Sequence, residues 1–93
     1  MKREYRSRIR IMVDILNTIK EDGGKTGITR ILYGANLSHD RLVKYIEKLK
    51  EKNLIDIVKE GDRNMYLLTG KGYRFLEEYE KIRRFAEAFG IKI

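Results

Sequence analysis

Cysteine, proline, glutamine and tryptophan are absent from this 93-residue sequence, and histidine occurs once. Without cysteine the chain has no disulfide, no thiolate nucleophile and no cysteine-based zinc site, which fits a reducing compartment. The single His39 excludes a histidine cluster for a metal within one chain, and no pair of carboxylates shares a helix face with suitable ligand partners. We therefore predict no metal, no other cofactor and no small-molecule substrate.

Long apolar runs are missing as well. No stretch is long enough to cross a bilayer, and the basic N-terminus is not followed by the apolar core of a signal sequence. Ser38, His39 and Asp40 have the residue types of a catalytic triad, but adjacent residues at a helix start cannot form its hydrogen-bonded row. Gly70 and Gly72 do not extend into a phosphate-binding loop. We predict a soluble, cytoplasmic protein that is not an enzyme and has no membrane partner.

Positive charge is what the sequence has in excess. It holds 21 lysines and arginines against 14 acidic residues, for a net charge of +7. Most of the excess lies in residues 23–52, which carry seven basic and three acidic side chains. Such a charge attracts polyanions, of which nucleic acid is the commonest, although charges also simply solvate a small surface. The length predicts one domain, small enough to gain stability from a partner subunit.

Residues 32–42 have the features of a tight turn between two helices. We expect Gly34 to end the first of them in a left-handed conformation. Ser38 is a suitable cap for the next helix, and Leu37 and Leu42 have the spacing of a hydrophobic staple. These parts fit the turn of a DNA-reading helix-turn-helix, and they fit any other tight helical corner equally well.

The helix that follows, from Ser38 to about Lys52, has its exposed charges sorted by sign. At roughly 100° per residue, the basic residues line one flank, and Asp40, Glu47 and Glu51 line the neighbouring strip. The basic flank suits a phosphate backbone, whereas the plain alternative is a solvated face of ordinary charge pairs. We predict that DNA is contacted by this helix, the preceding one and the hairpin described next, through Arg30, Ser38, His39, Arg41, Lys44, Tyr45, Lys48, Arg63 and Asn64.

The other periodicities predict helices at both ends and a hairpin between them. Apolar residues from Tyr5 onward predict a first helix over residues 2–22, and Thr26 is a plausible cap for a short second helix. Strand formers on both sides of a polar tip at 60–64 predict a β-hairpin, which would form a wing. Arg63 at its tip either reaches DNA or only solubilises the loop. Several basic residues crowd the N-terminal end and either touch phosphates or belong to a solvated, frayed start: Lys2, Arg3, Arg6, Arg8 and Arg10.

The last helix, capped by Thr69, has the apolar spacing of a coiled-coil seam. The residues on this seam are separated by 4, 3, 4, 3 and 4 positions, a pattern that calls for a partner helix. The alternative is that the helix packs back on the first one within the monomer. We predict a homodimer, with residues 1–72 as its head and 73–93 as its dimerisation helix. Its interface would contain Phe75, Tyr79, Ile82, Ala86, Phe89 and Ile93.

Several of these segments together resemble the small archaeal winged-helix DNA-binding proteins known from Sulfolobus. The most specific are Tyr33-Gly34-Ala35-Asn36-Leu37-Ser38 and Thr69-Gly70-Lys71-Gly72. The resemblance implies an α+β, mainly α, winged helix-turn-helix that dimerises through its C-terminal helix as an antiparallel coiled coil. It also implies binding to duplex DNA by a chromatin-associated, nucleoid or regulatory protein.

These patterns lead to one expected binding mode and two rival roles. Helix 38–52 would dock in the major groove, with the wing at 60–64 on the DNA backbone. The protein would then be either an architectural protein or a transcription regulator. A rival from another class is a winged-helix module that binds protein and not DNA, which would expose an apolar patch where the basic flank lies.

Overall fold

The computed structural model describes residues 6–93, which form four helices and a small sheet. The sheet is antiparallel, with strand order β1-β3-β2. This arrangement confirms the predicted mainly helical α+β winged-helix architecture. The elements in chain order are α1 (Arg8–Glu21), β1 (Lys25–Gly27), α2 (Ile28–Gly34), α3 (His39–Glu51), β2 (Ile55–Glu60), β3 (Arg63–Leu68) and α4 (Gly70–Ala88).

Helix α1 is the centre of the core and contacts α2, α4, β1 and β3. It begins later than predicted, because the Ser7 hydroxyl accepts a hydrogen bond from the Arg10 backbone N–H at 3.2 Å and caps the helix there. The predicted stripe also includes Ile9, which is exposed. The predictions for Lys2, Arg3 and Tyr5 lie outside the described residues. Seven large side chains are fully buried in the core: Ile15, Leu16, Ile19, Ile31, Leu42, Leu49 and Ile55.

Strand β1 is not predicted by the sequence. Thr26, expected to cap α2, lies in this strand opposite Tyr66 and is buried. The N-cap of α2 is Gly27, which has no side chain to accept a hydrogen bond. Three residues are too few for an alternating pattern, and the strand depends on pairing with β3, which lies about 40 residues away along the chain.

The turn between α2 and α3 has the predicted cap and staple but a different stop. Gly34 is the last residue of α2, and the left-handed residue is Asn36, at φ +53°. The Leu37 N–H donates to the Leu32 carbonyl at 3.1 Å, as in a Schellman motif. Ser38 caps α3 by accepting from the Arg41 N–H at 3.4 Å, and Leu37 and its staple partner on α3 are both buried.

Gly34 has a packing role in place of the predicted conformational one. A Cβ atom at this position would lie 2.5 Å from the Thr18 Cγ2 atom on α1, closer than side-chain carbons approach. The missing side chain therefore lets α2 lie directly against α1. This contact sets the position from which the turn and α3 begin.

The hairpin is tighter than the predicted wing. Its loop contains only Gly61, at φ +63°, and Asp62. Arg63 and Asn64, expected at the tip, are the first residues of β3 and pair with Glu60 and Lys59. The two side chains therefore stand on a strand, close to the tip but in fixed register with β2.

Helix α4 begins as predicted, because the Thr69 hydroxyl accepts a hydrogen bond from the Gly72 N–H at 3.0 Å. Its predicted seam does not remain on a helix to the end. The chain turns at Gly90, at φ +73°, and the Tyr79 hydroxyl donates to the Ile93 carbonyl at 3.1 Å. Ile93 therefore lies back beside the helix and does not extend it.

Candidate nucleic-acid interface

The side chain of Arg6 is hydrogen-bonded to the turn between α2 and α3. Its guanidinium donates to the Ala35 carbonyl at 2.7 Å, to the Asn36 carbonyl at 2.9 Å and to the Asp14 carboxylate at 2.7 Å. These bonds join the start of the described chain to the turn, 29 and 30 residues further on. The sequence places Arg6 only within a basic cluster, since no local pattern indicates a partner so far away.

One flank of α3 is basic and faces solvent. Arg41, Lys44 and Lys48 are all exposed, and none makes an ion pair within 4.0 Å in the described part of the chain. The Lys48 ammonium lies 5.9 Å from the centre of the Tyr45 ring, which packs partly against the core. The predicted contact residues Arg41, Lys44, Tyr45 and Lys48 therefore form one surface.

The other flank of α3 faces the hairpin. His39 and Val43 line a groove of about 470 Å³, which they share with Arg63 and Asn64. Further along the same flank, the Lys50 ammonium lies 3.8 Å from the Asp56 carboxylate of β2. The structure thus divides the predicted contact residues into two groups on opposite flanks of α3.

Arg63 extends towards the start of α2. A Cβ atom on Gly27 would lie 2.8 Å from the Arg63 Nη2 atom, so the guanidinium rests against this glycine. No pattern in the sequence indicates Gly27 as part of the candidate site. Arg30, on the exposed surface of the same short helix, and Ser38, at the cap of α3, complete the predicted set.

A line of carboxylates separates the two flanks. By helix geometry, Asp40, Glu47 and Glu51 lie between the hairpin groove and the basic flank. All three are exposed, and none has an ion-pair partner within 4.0 Å among the residues described. The plain alternative expected ion pairs between neighbouring turns of α3, and residues 6–93 form no such pair within this helix.

Helix α4 divides its apolar residues between two environments. Tyr79 is buried and Phe75 packs against the core, so this half lies on the monomer, as the alternative interpretation expected. Ile82, Phe85 and Phe89 are 60–69% exposed, and the two phenylalanine rings make an edge contact at 5.2 Å. Phe85 is absent from the predicted seam because it falls outside the 4-3 spacing.

The second half of α4 also carries a chain of ion pairs. Arg83 contacts Glu80 and Glu87, and Arg84 lies 3.6 Å from Glu80. The hydrogen bond from Arg83, together with the nearby charges of Arg83 and Arg84, lowers the pKa of Glu80 to about 2. Across residues 6–93, no helix is long and apolar enough for a membrane span, and no cluster of three metal-ligating side chains occurs.

The arrangement of a short helix, a tight turn, a second exposed helix and a hairpin matches a known family. A model of winged helix-turn-helix proteins matches residues 5–87. The chain belongs to the winged helix-turn-helix family. A sequence search among curated proteins returned no match.

Solved winged-helix structures agree with this assignment. Sso10a-2, a DNA-binding protein from Sulfolobus solfataricus, is 32% identical, with a TM-score of 0.81 over 90% of this chain and 85% of its own. A winged-helix DNA-binding protein from STIV is 19% identical, with a TM-score of 0.74 over 96% of this chain and 100% of its own. The YusO protein of Bacillus subtilis is 20% identical, with a TM-score of 0.76 over 84% of this chain and 57% of its own. The last two support the fold alone, and the first confirms the resemblance to Sulfolobus proteins.

Proposed function

We propose that this winged-helix protein binds duplex DNA by placing α3 in the major groove. The observation that carries the proposal is the basic flank of α3, whose exposed cations Arg41, Lys44 and Lys48 make no ion pair in the described chain. A major groove about 12 Å wide admits an α-helix, and unpaired cations at its edge replace the counterions of the phosphates. The DNA-binding description of Sso10a-2, at 32% identity, supports the same conclusion.

The two flanks of α3 would meet the two phosphate strands that border the groove. The basic flank, with Tyr45 beside it, would follow one strand. Arg63 and Asn64 on the hairpin, together with His39 across the groove from them, would follow the other. Because the hairpin loop is only two residues long, it suits contact with the backbone better than deep insertion into the minor groove. Arg30 and the Ser38 cap would add contacts at the N-terminal side of α3.

We further propose that a second copy covers the exposed half of α4. Ile82, Phe85 and Phe89 present adjacent apolar side chains there, and Ala86 between them allows close approach of a partner helix. Phe75, Tyr79 and Ile93 would border this contact, since they already pack on their own monomer. In this arrangement residues 1–72 form the head and residues 73–93 the dimerisation segment, paired as an antiparallel coiled coil.

The dependence of binding on salt tests the proposal. Fluorescence anisotropy with a short random-sequence duplex should give a plot of log affinity against log salt with a slope of about −0.9 per neutralised phosphate. With about six to ten contacts, the affinity should fall by about three orders of magnitude or more between roughly 50 and 200 mM salt. A flat plot would exclude a phosphate contact as the source of binding. Absence of binding at every salt concentration would leave the protein-binding module as the function.

The biological role follows from how binding depends on sequence. Uniform affinity for all duplexes would indicate an architectural protein of the nucleoid, and a strong preference for selected sites would indicate a transcription regulator. The protein-binding alternative expects an apolar patch on the basic flank. Among the described residues of α3, the exposed large apolar side chain is Val43, which lies in the hairpin groove on the other side.

A further inference from the structure

The carboxylates on α3 lie at positions that are unfavourable for binding DNA without sequence preference. Asp40, Glu47 and Glu51 occupy the middle of the helix surface that faces away from Leu42, Ile46 and Leu49 in the core. This is the surface that enters the groove furthest. Negative charge there repels phosphates and weakens binding to every sequence equally.

The helix dipole stabilises only one of the three carboxylates, Asp40, and this does not prevent Asp40 from contacting DNA as well. Asp40 lies in the first turn, where the helix dipole favours a negative charge. Glu47 lies in the middle of the helix, where the dipole has little effect, and Glu51 lies in the last turn, where it is unfavourable. Glu47 also makes no ion pair in the described chain, although Lys44 and Lys50 lie three residues away on either side.

We infer that Glu47 and Asp40 are specificity-determining residues, whose carboxylates accept hydrogen bonds from cytosine amino groups in the floor of the major groove. In that groove the cytosine N4 amino group is a donor that aspartate and glutamate accept from, whereas adenine presents its N6 donor beside the N7 acceptor, which repels a carboxylate, and guanine offers only acceptors. A carboxylate therefore favours a cytosine at its position and is repelled by the acceptor atoms of the other bases. This inference rests on the proposed binding of duplex DNA by α3.

The spacing of the two residues defines what they would read. They are seven positions apart, so they lie within about 20° of one another around the helix and roughly 10 Å apart along it. Stacked base pairs are about 3.4 Å apart, so the two carboxylates would reach bases about three pairs apart. The cations on the basic flank and Arg63 would supply the affinity that holds them there.

Selection of bound duplexes from a random pool tests the inference. The natural chain should enrich sites with cytosine at two positions about three base pairs apart. Glu47→Gln should change the preference at one of these positions from cytosine to adenine, because a glutamine amide pairs with adenine N6 and N7. Discrimination at the other position, assigned to Asp40, should stay the same, and affinity for random duplex should rise several-fold as one negative charge is lost.

The control is Glu77→Gln, which removes the same charge from α4, on the groove between α1 and α4. It should leave the selected sequences unchanged. Enrichment of no sequence by a chain that binds random duplex would overturn the inference while the proposed function stands. An unchanged preference in the Glu47→Gln chain would overturn it as well. Failure of the natural chain to bind any duplex would instead overturn the proposed function.

Discussion

Helices α3 and α4 have similar compositions but arrange their charges in opposite ways. On α4, glutamates and arginines alternate at three- and four-residue spacing, and Glu78, Glu80 and Glu87 are all paired with cations of the same helix. On α3, cations and carboxylates lie on separate strips, and the one ion pair found for its described residues runs from Lys50 to a strand. The charges of α4 from Glu78 to Glu87 are paired within the helix, whereas the charges of α3 other than Lys50 have no ion-pair partner among the described residues.

The same two helices also differ in their apolar residues. Helix α3 buries Leu42, Ile46 and Leu49 in its own monomer, so its exposed surface is polar apart from Val43. Helix α4 leaves Ile82 and Phe85 exposed in the half where its charges are paired. Composition alone does not distinguish a surface for a polyanion from a surface for a second copy. The two kinds of surface differ in how their charges are positioned relative to one another.

Reversing charge on α3 should have the largest effect on DNA binding. The double substitution Arg41→Glu and Lys48→Glu should lower affinity for random duplex by at least about 100-fold at low salt, because two phosphate contacts become repulsions. The measurement is anisotropy at constant low salt. Lys20→Glu, at the exposed end of α1, is a charge reversal outside this surface and should change affinity only a few-fold. The control changes the charge by half as much as the double substitution, so a loss in log affinity about half as large would show that net charge alone drives binding.

Introducing charge into the apolar half of α4 should separate the two copies. Ile82→Glu with Phe89→Glu should convert a dimer into monomers in sedimentation equilibrium, since burial of unpaired carboxylates opposes association. Both side chains are exposed in the monomer, so the fold should be retained in circular dichroism. Val58→Glu, an exposed apolar position on β2, should leave the dimer intact. A dimer that survives the double substitution would exclude this surface as the interface.

Removing the Arg6 side chain should loosen the support of α3 without changing its surface. Arg6→Ala breaks charge-assisted hydrogen bonds to Ala35, Asn36 and Asp14 and should lower the free energy of unfolding by about 1–3 kcal/mol. Duplex affinity should fall as well, because the angle of α3 becomes less fixed. Chemical denaturation and anisotropy measure the two effects. Arg8→Ala, an exposed position at the start of α1, should change stability much less, and equal effects would contradict a special role for Arg6.

Acid should weaken the charge chain of α4 by a small amount. The pKa of Glu80 is lowered to about 2 in the folded protein, below its ordinary value of 4.5. The contribution of its pairing is therefore present above pH 4.5 and is lost as the pH falls through about 2. Thermal unfolding between these pH values should show a coupling between Glu80→Gln and Arg83→Gln that declines with acid. A coupling that is constant over this range would contradict the pairing.

The sequence predicts those parts of the fold that depend on local patterns. The cap at Ser38, the buried stripe of α3 and the cap at Thr69 each follow from residues within one or two helical turns. The segregation of charge on α3 is also readable, because it depends only on helix geometry. The basic flank predicted from the sequence is exposed in the structure, and its role in binding stays a prediction.

Features that depend on contacts between distant parts of the chain cannot be predicted from local sequence patterns. Strand β1 exists because Thr26 pairs with Tyr66, and the turn is fixed by a hydrogen bond from Arg6 to Asn36. The sequence predicts the left-handed end of α2 at Gly34 because glycine is the usual left-handed residue, but Asn36 takes that conformation and Gly34 makes room for Thr18 on α1. In each case the deciding partner is on another element of the structure.

The early end of α4 has a consequence for how two copies meet. The exposed apolar stretch from Ile82 to Ala88 is only about 10 Å long, so a dimer through it has a small contact area. Such a dimer depends on protein concentration by mass action. Two chains bound near one another on the same duplex have an effective concentration in roughly the millimolar range. DNA would then act as a template for pairing, and occupancy of neighbouring sites would rise cooperatively.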